Sequence, residues 1–106
     1  MNPLTIAIDF DKTWTADPAL WSGFAETAFA RGHEVIIVTR RSEIPFDELK
    51  TNLVNRRLAE EYVTCDMAFK RETMESLGYT VDIWVDDEPG TIEPQRIPNP
   101  SPDDQL

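Results

Sequence analysis

Three apolar runs, Leu4 to Ile8, Val35 to Val38 and Ile83 to Val85, constrain this chain more than any other feature. Each is too short for a buried helix, rich in Ile or Val, and bounded by turn signals, so each reads as a strand. Continuous rather than alternating apolar runs belong to parallel strands covered on both faces. Helices must therefore lie between them. Pro18 suits a first helical turn, and Leu20, Trp21, Phe24, Ala25, Ala28 and Phe29 recur at helical spacing until Gly32.

A second helix is expected from Phe46 to Tyr62, where Phe46, Leu49, Leu53, Val54, Leu58 and Ala59 repeat the pattern. The segment "YVTC" offers a short strand with Cys65 buried in it, and a third helix runs from Phe69 to Leu77, closed by Gly78. Strand, helix, strand, helix, strand, helix, strand is the order of a doubly wound, Rossmann-like α/β fold. It has three layers, a mostly parallel sheet and right-handed crossovers.

At 106 residues and 41% hydrophobic content, the chain supports one core. The domain is expected over residues 1–97. Residues 98–106, within "IPNPSPDDQL", are proline-rich, acidic and nearly devoid of apolar side chains, so they read as a flexible tail. Between Thr91 and Ile97 the reading stays open, because Pro94 weakens a strand without excluding an edge strand. No apolar run approaches a membrane span and no leader pattern is visible. The single cysteine, Cys65, forms no internal disulfide and fits a reducing compartment, so the expectation is a soluble, cytoplasmic protein. A net charge of -10 disfavours binding to long nucleic acid.

In open α/β sheets ligands bind beyond the carboxyl ends of the strands, at the point where strand order reverses. The first run ends at Asp9-Phe10-Asp11-Lys12-Thr13, the second at Thr39-Arg40-Arg41, and the last at Asp86-Asp87-Glu88. Asp9 and Asp11 are two apart, so both can face one crevice while Phe10 enters the core. Asp86 joins them if the first and last strands are neighbours. Carboxylates crowded in this way raise one another's pKa unless a hard cation takes them as oxygen ligands, and Mg2+ is the natural candidate. A lone Asp-x-Asp pair is more often a solvated turn. The coincidence of three such strand ends favours chemistry.

The segments "IAIDFDKT", "VIIVTR", Lys70 in "FKRE", and "IWVDDEP" together resemble the four motifs of the haloacid dehalogenase superfamily, most of whose members transfer phosphoryl groups. The resemblance spans Ile6 to Pro89, and on it the expected strand order is 3-2-1-4, so that Asp9 and Asp86 meet at the switch point. It implies a phosphatase in which Asp9 is the nucleophile and Asp11 the general acid and base. It also implies Mg2+ held by the Asp9 carboxylate, the Asp11 backbone carbonyl and Asp86, with Asp87 acting through water or orienting that shell. Thr39 would offer a hydroxyl to the substrate phosphate and Lys70 a positive charge; these two, with Arg40, form the expected substrate contacts. "DKTWT" also resembles the phosphorylation motif "DKTGT" of P-type ion pumps, which would instead make Asp11 the nucleophile. Ile6-Ala7-Ile8 running directly into Asp9 favours Asp9.

The segments from Thr13 to Thr39 and from Thr39 to Lys70 are consumed by helix and strand, so no cap domain is expected. Capless members often take large phosphorylated substrates or borrow a lid from a partner subunit, which makes a homo-oligomer a possible partner here. Two other readings stay open: a catalytically silent binding or regulatory domain, and a phosphotransferase using an acceptor other than water. Trp14 is expected to cover the core, His33 to be an exposed turn residue, and Arg41 to be either a phosphate clamp or a surface residue.

Overall fold

The computed structural model describes residues 2–94. The strands are β1 (Thr5–Asp9), β2 (Glu34–Thr39), β3 (Val63–Thr64) and β4 (Ile83–Val85), and the helices are α1 (Pro18–Ala30), α2 (Phe46–Asn52), α3 (Arg56–Glu61) and α4 (Lys70–Ser76). The sheet is four-stranded and entirely parallel, in the order β3-β2-β1-β4. The expected strand order and fold class are thus observed. The proline-rich tail, residues 98–106, lies outside the described residues.

Strand periodicity divides the core in two. Ile6, Ile8 and Phe10 share one side with Val35, Ile37, Ala25, Ala28, Leu53 and Leu58, whereas Ala7, Ile36 and Val38 share the other with Met74. Residues of α1 and α3 therefore pack on one face and α4 on the other, which gives the three layers. Asp17 starts α1 by accepting a hydrogen bond from the Leu20 amide at 3.2 Å, with Pro18 following in the first turn. Gly32 and Gly78 end their helices at φ +88 and +91, conformations that a side chain would strain.

Several local expectations are corrected. The helix expected from Phe46 to Tyr62 is two helices, broken at Leu53-Val54-Asn55. Asn55 caps α3 by accepting from the Arg57 and Leu58 amides, and the indole of wholly buried Trp14 donates to the Asn52 carbonyl at 2.8 Å. Those two side chains satisfy backbone groups that a continuous helix would have used itself. The break turns Leu53 and Leu58 into the core and leaves Phe46 and Val54 in solvent. On α1, Leu20 and Phe24 are also exposed.

Cys65 is buried but follows β3 rather than lying in it. Ile83 is exposed because β4 is an edge strand. His33 is half-buried, not exposed, and its Nδ1 accepts a hydrogen bond from the Leu4 amide at 2.9 Å. Thr91 closes a 3-10 turn, Pro89–Thr91, and no strand follows among the described residues. Among the described residues no helix is long and apolar enough to cross a membrane.

Candidate functional site

Sheet geometry dictates where the acidic residues meet. Asp9 follows Ala7 on the face covered by α4, and Asp86 follows Trp84 on the same face. Because Ile8 pairs with Val85, the residues that come next, Asp9 at the end of β1 and Asp86 just past β4, emerge level with one another. Lys70 lies one helical turn before Met74, the residue that packs α4 onto this face, and so reaches the strand ends. The Lys70 ammonium donates to Asp9 Oδ1 at 2.7 Å and to Asp86 Oδ2 at 2.6 Å, and its side chain is only 2% exposed.

A second layer of contacts fixes the carboxylates. The Thr13 hydroxyl bridges Asp9 Oδ2 at 3.3 Å and Asp87 Oδ1 at 3.2 Å. The Glu88 amide donates to Asp86 Oδ1 at 2.9 Å, and the Thr91 hydroxyl lies 3.4 Å from Asp86 Oδ2. The loop that delivers Thr13 is tight. Lys12 adopts a left-handed conformation at φ 64, its amide donates to the Thr15 hydroxyl, and the Trp21 indole donates to the Thr13 carbonyl.

Burial pushes the Asp9 carboxyl up from 3.8 to about 6, against the opposing pull of the Lys70 ammonium. Asp87 moves the other way, held below the usual carboxylate range first by its hydrogen bond with Asp9. Of Asp9 and Asp87, Asp9 therefore keeps its proton to the higher pH. Asp9, Asp86 and Asp87 each place a carboxylate oxygen within 4.8 Å of the others. Three carboxylate oxygens of that span could hold a hard cation, which would relieve the burial of the Asp9 charge.

These residues line an open cavity of ≈ 290 Å³, along with Asp11, Lys12, Thr39, Arg40, Arg41, Met67 and Thr91. The residues anticipated from sequence thus meet in one place. Three details differ from expectation. The Asp11 carboxylate is not free but paired with Arg41, its Oδ2 accepting from Nε at 2.9 Å and its Oδ1 from Nη2 at 2.7 Å. Arg41 is neither a free phosphate clamp nor a bare surface group, because it also pairs with Glu48 of α2 at 2.7 Å. Arg40 donates to the Met67 carbonyl and stacks over the Phe69 ring, with 5.6 Å to the centroid.

Thr13, which closes the motif "IAIDFDKT" but carried no assigned role, belongs to the site, as do Glu48 and Thr91, which were not candidates. Of these only Thr13 carried a signal, four residues after Asp9 in the loop that follows β1. No family model, no curated protein and no solved structure matches the chain.

Proposed function

We propose that this protein is a capless, Mg2+-dependent phosphatase of the haloacid dehalogenase type, hydrolysing a phosphomonoester through a phosphoryl group carried on Asp9. The observation that carries the reading is the pairing of buried Asp9 with buried Lys70 at the sheet's switch point, next to two further carboxylates. A nucleophilic carboxylate needs a neighbouring cation to tolerate an incoming phosphate, and Lys70 supplies one. Asp9, rather than Asp11, lies at the end of the buried strand, which favours it over the ion-pump register.

In the first step an Asp9 carboxylate oxygen attacks phosphorus as the bond to the leaving oxygen breaks, and that oxygen takes a proton from Asp11. In the second, water attacks phosphorus and gives a proton back to Asp11. The Asp9–phosphorus bond then breaks, and inorganic phosphate leaves with the protein restored. Thr39 offers its hydroxyl to the phosphate, and Arg40 and Lys12 add positive charge around the cavity. Mg2+ held by Asp9, Asp86 and Asp87 would supply neutralising charge at the phosphoryl oxygens. With no inserted domain over it, the cavity suits an exposed phosphate on a larger molecule or a lid contributed by a second copy.

A second reading, a silent binding domain, is favoured by one observation: both carboxylate oxygens of Asp9 are already engaged, by Lys70 and Thr13. Incubation with p-nitrophenyl phosphate and Mg2+ separates the two. Turnover abolished by Asp9→Asn supports the phosphatase. No turnover of a broad phosphomonoester panel supports the binding domain.

A further inference from the structure

We infer that Arg41, braced by Glu48, is the positioning residue that holds Asp11 against the departing leaving group. The inference rests on the acid/base role proposed for Asp11. Asp11 lies two residues past the end of β1, in a loop with no ladder bonds to fix it. Its side chain is 44% exposed, so unaided it would sample many orientations. Arg41 removes that freedom by meeting both carboxylate oxygens in a fork geometry that a lysine does not reproduce.

Arg41 is itself anchored from four directions. Its amide donates to the Thr39 hydroxyl at 3.3 Å and its carbonyl accepts from the Asp66 amide at 3.2 Å. Its guanidinium lies over the Phe10 ring, 5.6 Å from the centroid, and Glu48 holds Nη1 at 2.7 Å. The chain of contacts runs from α2 through Glu48 and Arg41 to Asp11. Half-exposed ion pairs add little stability, so this arrangement contributes orientation more than folding energy. Productive proton transfer tolerates little misplacement, which is where such orientation has its effect.

The test compares kcat/KM, which reports events through first cleavage of the phosphorus–oxygen bond, for two substrates. The leaving group of 2-phenylethyl phosphate is an alkoxide that requires a proton, whereas 2,4-dinitrophenyl phosphate releases a phenolate that does not. Arg41→Lys and Arg41→Gln should lower kcat/KM for the alkyl ester by about 10²-fold or more, and for the aryl ester at least tenfold less. Glu48→Gln should act in the same direction, more weakly. Asp11→Asn should show the same selectivity, and adding Arg41→Gln to it should cost nothing further on the alkyl ester.

Circular dichroism melts confirm that the variants fold, with Glu48→Gln as the mildest. Equal losses on both esters would overturn the inference while leaving the phosphatase reading intact. So would unchanged rates on both, or full additivity with Asp11→Asn. Hydrolysis of neither ester by the wild type, or hydrolysis unaffected by Asp9→Asn, would overturn that reading and the inference with it.

Discussion

Replacing Lys70 tests the physical basis of the site without requiring any substrate. The ammonium is held at 2.7 Å from Asp9 and 2.6 Å from Asp86, with all three side chains at least nine-tenths buried. Lys70→Met preserves much of the side-chain volume and flexibility but leaves two buried carboxylates without their cation. Removing one partner of a buried ion pair costs about 3–5 kcal/mol. Because a domain of this size is stable by about 5–15 kcal/mol in total, the loss is a large fraction. It should lower the melting temperature by more than about 12 °C, given roughly 4–8 °C per kcal/mol.

Urea unfolding followed by far-UV circular dichroism, in chelator at pH 7, measures the effect directly. Lys50→Met, at an exposed helical site, is the control and should change stability by less than about 0.5 kcal/mol. The deficit of Lys70→Met should shrink as pH falls toward 5, where Asp9 takes up a proton. It should also shrink on adding Mg2+, because a bound cation takes over the missing charge. A Lys70→Met protein within about 1 kcal/mol of wild type in chelator at pH 7 would refute the claim that this ammonium balances buried acid.

Other outcomes follow from the same geometry. The raised Asp9 pKa means that the folded, metal-free protein binds more protons than the unfolded chain between about pH 4 and pH 6. Asp9 therefore lowers stability as pH rises through that window, by about 3 kcal/mol at completion. Asp9→Asn in chelator should remove this component, giving a smaller loss between pH 4.5 and pH 7 than wild type in urea titrations; an identical loss would contradict it. Trp14→Phe should cost about 1–3 kcal/mol, because it keeps most of the buried ring but leaves the Asn52 carbonyl at the α2 end without its donor. A thermal melt unchanged by that substitution would show that the helix break does not depend on the indole.

How much of this was legible beforehand depended on range. The fold class followed from short apolar runs alternating with helical spacing, whereas the strand order and the meeting of Asp9 with Asp86 followed from the family resemblance and the switch-point rule. Lys70 was legible as a motif position, although its burial between two acids depends on how α4 sits on the sheet. The break at Leu53-Val54-Asn55 was hidden because Asn55 and Trp14 satisfy backbone groups by contacts that hydrophobic spacing does not register. The fork of Arg41 on Asp11 was hidden for a related reason. It joins two loops and a helix, and its geometry depends on side-chain rotamers rather than on any repeating pattern. His33 was misread because a turn residue before a strand can also bond to the neighbouring strand, as it does to Leu4.

The central claim, that Asp9 carries the phosphoryl group, is most directly tested by trapping that species. An Asp11→Asn variant lacks the base for the second step, so with p-nitrophenyl phosphate and Mg2+ it should accumulate phosphoenzyme. After acid quench and proteolysis, mass spectrometry should find a hydroxylamine-labile phosphoryl group on Asp9, absent from the Asp9→Asn control. A phosphoryl group on any other residue, or wild-type turnover with no trappable phosphate on Asp9, would contradict the account.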